Sequence, residues 1–296
     1  MITVSVIIPV KNRPNLLSKA VHSCFSQTHK PDEIIIVDDG STDTTEEIIA
    51  LLKTESDSVR SLHNETSVGA AKARNQGAAA ATGEYLAFLD SDDVWHPTKI
   101  ARQLDLALTH RESPLICSGV TYVYANRPPK VVRAKSLITR SDLEYENRVV
   151  TSTAFVHAEN FAKVGGFDEF LPNCEDWDLW LRLANLGDIR GVPDTLCDFT
   201  FVAPNKLSRN VEKLTDGHKQ VFARIAESVT PDRERDVKAN HALTQASNEI
   251  LIGQNYLAGF RSIANALRLR ISFSILKRTA RLFVLTLLQV SHLRKE

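Results

Sequence analysis

Residues 84–93 read Glu-Tyr-Leu-Ala-Phe-Leu-Asp-Ser-Asp-Asp, an apolar run that ends in three carboxylates within four positions. The run has the length of a strand buried on both faces, the kind found in parallel sheets covered by helices. Two earlier runs share the form. Val4–Val10 (VSVIIPV) leads into Lys11-Asn12-Arg13, and Glu33–Val37 (EIIIV) leads into Asp38-Asp39-Gly40-Ser41-Thr42-Asp43. Between them, Asn15–Phe25 places Leu16, Leu17, Ala20, Val21, Cys24 and Phe25 on one helical face. Further helices are expected from an N-cap at Ser41 or Asp43 to Leu52, over the Ala-rich Val68–Ala81, and from Pro97 at a first-turn position to about His110. A short strand, Val59–Leu62, falls between the first two of these. Such alternation predicts an α/β chain with a mixed, mainly parallel sheet, whose ligands bind beyond the carboxyl ends of the strands. The three polar clusters all lie there.

Beyond His110 the pattern loosens. Strands are expected over 114–124 and 149–157, a turn at Gly165-Gly166-Phe167-Asp168-Glu169, and an amphipathic helix over Glu175–Leu186 carrying Trp177, Trp180, Leu181 and Leu183. A last strand is expected over Leu196–Val202, and from about Ser208 the chain reads as helical. The expected organisation is an α/β domain of residues 1–210, with a regular half that carries the three polar clusters (1–110) and a looser half (111–210). A C-terminal helical appendage (211–296) follows.

The 296 residues carry 36 Lys+Arg and 36 Asp+Glu, 43% hydrophobic and 24% charged. That balance excludes a disordered chain and a generally basic nucleic-acid binder. The four cysteines (Cys24, Cys117, Cys174, Cys197) form no CxxC pair, so free thiols in a reducing compartment are expected. The zero net charge is uneven: residues 261–296 hold eight Lys/Arg against one acid, Glu296. No signal peptide is read at the N-terminus, and no apolar stretch is long enough to span a bilayer.

Asp90-Ser91-Asp92-Asp93 is the sharpest chemical feature. Clustered carboxylates repel one another, and a divalent cation between them relieves the repulsion; oxygen-only ligands suit Mg²⁺ or Mn²⁺. The competing reading is a solvated turn that caps the next helix. Asp38-Asp39 carries the same pair of readings, either a cap or a carboxylate that accepts from a base N–H or a ribose hydroxyl. Arg74 and Lys72 lie on a small-residue segment, Gly69–Gly77, where Arg suits phosphate oxygens and a solvated helix face is the plainer reading. Glu175-Asp176-Trp177-Asp178 falls at a helix start. Acids are favoured there by the helix dipole, and a carboxylate there can also serve as a general base.

Taken together, these motifs resemble the family 2 glycosyltransferases of GT-A fold. The matching segments are residues 4–45, VSVIIPVKNRPNLLSKAVHSCFSQTHKPDEIIIVDDGSTDTT, and 69–95, GAAKARNQGAAAATGEYLAFLDSDDVW, followed by GGFDE and CEDWDLWLRL. They span about the first 210 residues, in family order. The resemblance implies a metal-dependent, hexosyltransferase-type enzyme. It would move a sugar, with inversion, from a nucleoside-diphosphate sugar, most commonly a UDP-sugar, to a hydroxyl acceptor in cell-surface glycan or polysaccharide synthesis.

The site residues implied by the resemblance follow position by position. Asp90 and Asp92 match the D-x-D motif and would bind Mn²⁺ or Mg²⁺, with Ser91 between them in the donor site. Pro9, Val10 and Asn12 match the loop against base and ribose, Asp39 matches a base contact, and Arg74 a basic position near the nucleotide. Asp176 matches the catalytic base. Glu175, Trp177 and Asp93 are expected on the acceptor and donor-sugar side. The chain lacks the Q-x-x-R-W signature of processive members, which favours single additions. It carries Ala203 where some members place a metal-proximal His.

Two rivals differ in class. A nucleotidyltransferase would need a Gly-rich basic loop after the first strand, where this chain has PVKNRPN. A non-catalytic sugar-nucleotide or glycan-binding module would be expected to lose the acids, and all are present. Expected partners are a nucleotide sugar and a glycan or lipid-linked acceptor, with no nucleic acid. Residues 261–296 would either touch a membrane surface or pack on the body or on a second copy in a homodimer. The expected location is cytoplasmic, peripheral at the inner face of the membrane.

Overall fold

The computed structural model describes residues 2–125, 128–200, 211–251 and 255–293. The chain divides into two compact units. One comprises Met1–Leu143, Asn147–Phe170 and Glu175–Pro204; the other comprises Glu144–Glu146, Leu171–Cys174 and Asn205–Glu296.

The first unit begins with the expected alternation: β1 (Val4–Val10), α1 (Pro14–Phe25), β2 (Glu33–Asp38), α2 (Thr45–Glu55), β3 (Val59–His63), α3 (Ala70–Ala80) and β4 (Tyr85–Phe88). It continues through β5 (Val94–Trp95), α4 (Lys99–Thr109), β6 (Leu115–Val123), β7 (Lys130–Val132), β8 (Leu137–Ile138), α5 (Arg140–Tyr145), β9 (Phe155–His157), α6 (Ala158–Lys163), α7 (Glu175–Leu183) and β10 (Ile189–Thr200). The sheet order is β3-β2-β1-β4-β9-β6-β10-β5, with β7 on β6 and β8 on β10. The β3-β2-β1-β4 portion is parallel, and so is β6–β10; β9 runs antiparallel to both β4 and β6.

Every residue of β1 and β2 is buried, because helices cover both faces. On one face Val4, Val6 and Ile8 meet Leu17, Ala20, Val21 and Cys24 of α1 and Ile100, Leu104 and Ala107 of α4. Each such Leu or Ile contributes roughly 1.5–3 kcal/mol of burial. On the other face α3 lies close to the sheet: a Cβ at Gly77 would come within 2.6 Å of Ile7 Cγ2. The Ala/Gly composition of α3 thus sets its approach to β1.

One buried cation lies in this core. Lys99 is fully buried, with Nζ 2.7 Å from Gln103 Oε1 and 3.8 Å from the centroid of the Trp95 ring. Burial pushes its pKa down to about 7, against the attraction of neighbouring Cys197, Cys24 and Cys117. All four cysteines are buried.

Four elements differ from the sequence reading. Of residues 149–157, only Phe155–His157 pairs in the sheet, while Thr151–Thr153 forms a 3₁₀ turn. The run resembles a strand because it is β-branched, but its hydroxyls face buried polar partners. Pro97 precedes α4 rather than opening it, with Thr98 as the N-cap. Thr44 is the N-cap of α2, and Asp43 supports it by accepting from the Thr45 N–H at 3.0 Å. The last strand starts earlier than expected, at Ile189, and its register against β6 shifts between Val192 and Cys197.

The second unit holds α8 (Val211–Ser228), α9 (Pro231–Leu251), α10 (Tyr256–Leu269) and α11 (Phe273–Leu293). Ala239, Leu243, Ala246 and Ile250 of α9 pack with Ile263 and Ala266 of α10 and Ile275 and Leu282 of α11. Among the described residues, no helix is long and apolar enough to cross a membrane.

Candidate active site

The carboxyl ends of β1, β2 and β4 bring the three polar clusters together. Asn12 takes a positive φ of 53° after β1. Its backbone N–H donates to Ser41 Oγ at 2.9 Å, and its Oδ1 accepts from the Thr42 N–H at 2.7 Å. The loop after β1 is thereby tied to the loop after β2. Pro9 and Val10, expected in a ligand-facing loop, are instead buried inside β1, where parallel pairing to Val37 and Asp38 holds them.

Asp39 is buried and accepts from Ser67 Oγ (2.6 Å), Val68 N (2.7 Å), Gly69 N (3.0 Å) and Asn64 Nδ2 (3.3 Å). Burial alone would raise its pKa, but these four donors outweigh it and hold the carboxyl below the usual range. Asp39 therefore clamps the loop that leads into α3.

Asp90, Asp92 and Asp93 each offer a carboxylate oxygen within 4.8 Å of the others. Their surroundings differ. Asp93 is fully buried; Ser152 Oγ donates to Oδ2 at 2.6 Å and the Thr200 N–H to Oδ1 at 3.0 Å. Both of its oxygens are thus engaged by the protein. Asp92 is nearly buried and faces the Arg13 guanidinium, Nη1 to Oδ2 3.3 Å. Asp90 keeps the most exposure of the three and accepts from Arg74 Nη2 at 2.7 Å. Three hard oxygen donors on one short loop match the ligand chemistry of Mg²⁺ or Mn²⁺. Ser91 is buried between them.

Arg74 is the joint of the site. Its buried guanidinium donates through Nη2 to Asp90 and through Nη1 to Glu175 Oε1 at 2.8 Å. The Phe167 ring lies 5.3 Å from Cζ. The two carboxylates raise its pKa against the opposing effect of burial. The acidic loop after β4 and the acidic start of α7 are consequently one constellation.

Asp176 follows at the start of α7. Its Oδ1 accepts from the Trp177 N–H at 2.6 Å, and its Oδ2 from Asn147 Nδ2 at 3.1 Å and Thr151 Oγ1 at 3.3 Å. Burial and the Glu175 charge push its pKa up to about 7, while the Trp177 and Asn147 hydrogen bonds and Arg74 oppose them. That is an unusual carboxyl, and a proton acceptor is most effective near its operating pH.

Trp177, expected beside an acceptor, is buried, with Nε1 donating to the Leu143 carbonyl at 2.7 Å. Trp180 is buried likewise, donating to the Val149 carbonyl at 3.1 Å. Both indoles are core residues that brace α7. Sequence reasoning missed Arg13, Ser152, Asn147 and Thr151. Arg13 had a signal in its place beside Asn12; Thr151 and Ser152 had none, because their roles come from a turn the sequence disguised, and Asn147 lies in the irregular stretch before it. Ala203 lies outside the described residues.

A parallel α/β half-sheet with acids gathered at its strand ends is the architecture of a nucleotide-binding fold. Residues 5–161 match the model of Glycosyl transferase family 2. The chain belongs to that family.

An uncharacterised glycosyltransferase of Rickettsia felis is 34% identical over 230 residues, covering 72% of this chain and 36% of its own length. The chain thus spans about a third of that relative. A protein named for teichuronic acid biosynthesis, glycosyltransferase TuaG of Bacillus subtilis strain 168, is 30% identical over 213 residues, covering 70% of this chain and 82% of its own. Among solved structures, S. aureus TarS 1–349 in complex with UDP-GlcNAc superposes with a TM-score of 0.64 at 17% identity, over 90% of this chain and 91% of that one. The mannosyltransferase PcManGT of Pyrobaculum calidifontis, in complex with GDP-Man and Mn²⁺, gives 0.63 at 18%, over 97% and 81%. At these identities the likeness establishes the shared GT-A glycosyltransferase fold.

Proposed function

We propose that the chain is an inverting glycosyltransferase that adds single sugars from a nucleoside-diphosphate sugar, in the first instance a UDP-sugar, to a hydroxyl of a glycan or lipid-linked acceptor. Residues 1–110 hold the donor and 111–210 the acceptor, with 211–296 as a helical appendage. The UDP-GlcNAc complex of TarS supports the donor class, and the naming of TuaG supports cell-surface polysaccharide synthesis. The observation that supports the reading is the Arg74 bridge from Asp90 to Glu175, which ties the acidic loop after β4 to the acidic start of α7.

In this reading Asp90 and Asp92 hold Mn²⁺ or Mg²⁺, and the Mn²⁺ complex of PcManGT supports that choice. When bound, the ion supplies electrostatic stabilisation of the charge that grows on the diphosphate. Asn12, Ser91 and the Asp39-clamped loop line the nucleotide side. Asp93 acts indirectly by fixing Ser152, whose Oγ also accepts from the Asp90 N–H at 3.1 Å.

Asp176 takes the proton of the acceptor hydroxyl at Oδ2. Asn147 and Thr151 aim that oxygen. The hydroxyl oxygen attacks the anomeric carbon from the face opposite the leaving diphosphate, and one displacement inverts the configuration. Glu175 keeps Asp176 basic by its charge, and Arg74 holds Glu175 in place.

The test is a thermal-shift panel of nucleotide sugars with Mn²⁺, followed by turnover with the donor that stabilises most. A donor-dependent shift together with nucleotide release is expected. Stabilisation without release under any acceptor would make the chain a binding module.

A further inference from the structure

The described side chains of helix α11 do not sort by polarity. Ile275, Thr279, Leu282 and Thr286 form its buried stripe, so two threonines point inward. Leu276, Phe283 and Val284 point outward, with Ala280 between them. A helix placed for water alone would turn the phenylalanine and valine in and the threonines out.

The outward stripe does not stand alone. Phe260 of α10 meets Phe283 at a centroid separation of 5.4 Å, yet the two stay 39 and 44% exposed. Leu257 of α10 and Ile271, between the two helices, are exposed at 66 and 72%. An apolar surface of this kind on two helices marks an interaction site.

Charge selects what covers it. Residues 256–293 contain no acid. Of their six cations, Arg270 is engaged by Asp236 at 2.9 Å, and Arg278 donates to Asn240 and to Thr244. Arg261, Arg268, Lys277 and Arg281 are exposed on the same two helices. A second copy of the patch would set these cations against their equals. An anionic lipid surface instead offers an apolar boundary for the rings and negative headgroups for the cations, whose long stems reach across that boundary.

We propose that α10 and α11 form an anionic-lipid docking surface, with Phe260, Phe283, Leu276 and Val284 entering the interface and Arg261, Lys277 and Arg281 meeting headgroups.

The experiment is co-sedimentation of the full chain with phosphatidylglycerol–phosphatidylcholine vesicles and with phosphatidylcholine vesicles alone. Pelleting on the anionic vesicles, at least tenfold stronger than on the neutral ones and reduced by salt, is expected. Phe260→Ser/Phe283→Ser should lose most of it at any salt, whereas Arg261→Gln/Lys277→Gln/Arg281→Gln should lose the salt-sensitive part. Phe283→Trp gives a second readout that leaves the helix packing unchanged: its emission should shift to the blue with anionic vesicles and not with neutral ones. Equal pelleting on both vesicles, or an unshifted emission, overturns the proposal. So does a dimer in solution that the double Phe variant dissolves while vesicle binding is absent.

Discussion

The guanidinium of Arg13 lies 3.3 Å from Oδ2 of Asp92, a side chain only 1% exposed. A cation from the loop after β1 thus faces a carboxylate that we propose as a metal ligand. Arginine and a divalent ion on one carboxylate repel each other. Arg13→Gln should therefore tighten Mn²⁺ binding in the absence of nucleotide, by about threefold to tenfold, the change that roughly 0.7–1.4 kcal/mol of relieved repulsion produces. An Mn²⁺ titration followed by electron paramagnetic resonance reads this directly, and unchanged or weaker binding removes Arg13 from the ion's path.

Arg74 is buried between two carboxylates, so its loss strands both. Arg74→Met should destabilise the fold by about 3–5 kcal/mol, the range for breaking a buried pair from one side. Adding Glu175→Gln should return part of that loss, because one stranded charge is then gone. Chemical denaturation of the single and double variants checks it; a double variant less stable than Arg74→Met would show that Glu175 has other support.

For Asp176 two pH dependences are expected, with opposite signs. As a base it works deprotonated, so turnover should rise through about pH 7. Stability should fall over a lower window, from the ordinary carboxylate range up to about pH 7, and level off above it. The folded-state pKa is raised above that of the unfolded chain, so the native state holds the extra proton between the two values and loses that advantage as pH rises. Asp176→Asn should cost ~10²–10⁴-fold in turnover and abolish both trends. Its melting temperature should exceed that of the wild type at alkaline pH and converge with it in acid. A variant that keeps full turnover would falsify the assignment of the base.

Asp39→Ala leaves the Val68 and Gly69 N–H groups without their acceptor. The expected cost is about 1–3 kcal/mol, with faster hydrogen exchange at Val68 and Gly69 than elsewhere in the unit. The Asp39 pKa is lowered, so its contribution is present above the ordinary carboxylate range and is lost as pH falls through the folded value. An acid limb in the wild-type stability profile that is missing in Asp39→Asn is the check.

The first half of the fold was legible because β1, β2 and β4 are buried along their whole length and α1 between them has one apolar stripe. Those are local signals. The acidic loops were legible as well, since Asp90 to Asp93 and Glu175-Asp176 are dense in sequence. What joins them was not. The Arg74–Glu175 pair spans 101 positions, and nothing local in either residue announces the other. Residues 149–154 were misread for a related reason: Thr and Val favour strands by propensity, but Ser152 and Thr151 bond across the structure to Asp93 and Asp176, and tertiary contacts override the preference. Trp177 shows the reverse failure. Its chemistry suits a sugar, and only its burial reveals that it braces α7.

The position of β9 in the sheet has a consequence for synthesis. β4 pairs with β1 on one side, and on the other with β9 through Tyr85–His157, Leu86–Val156 and Ala87–Phe155. A chain leaving the ribosome completes β4 roughly 70 residues before β9, a delay of about 4–14 s at typical elongation rates. Through that interval the nascent half-sheet ends in an open apolar edge, the kind that pairs with a neighbouring chain. Pairing of that edge with a neighbouring nascent chain is the misassembly this topology invites. Slower translation of residues 89–157 lengthens the exposure.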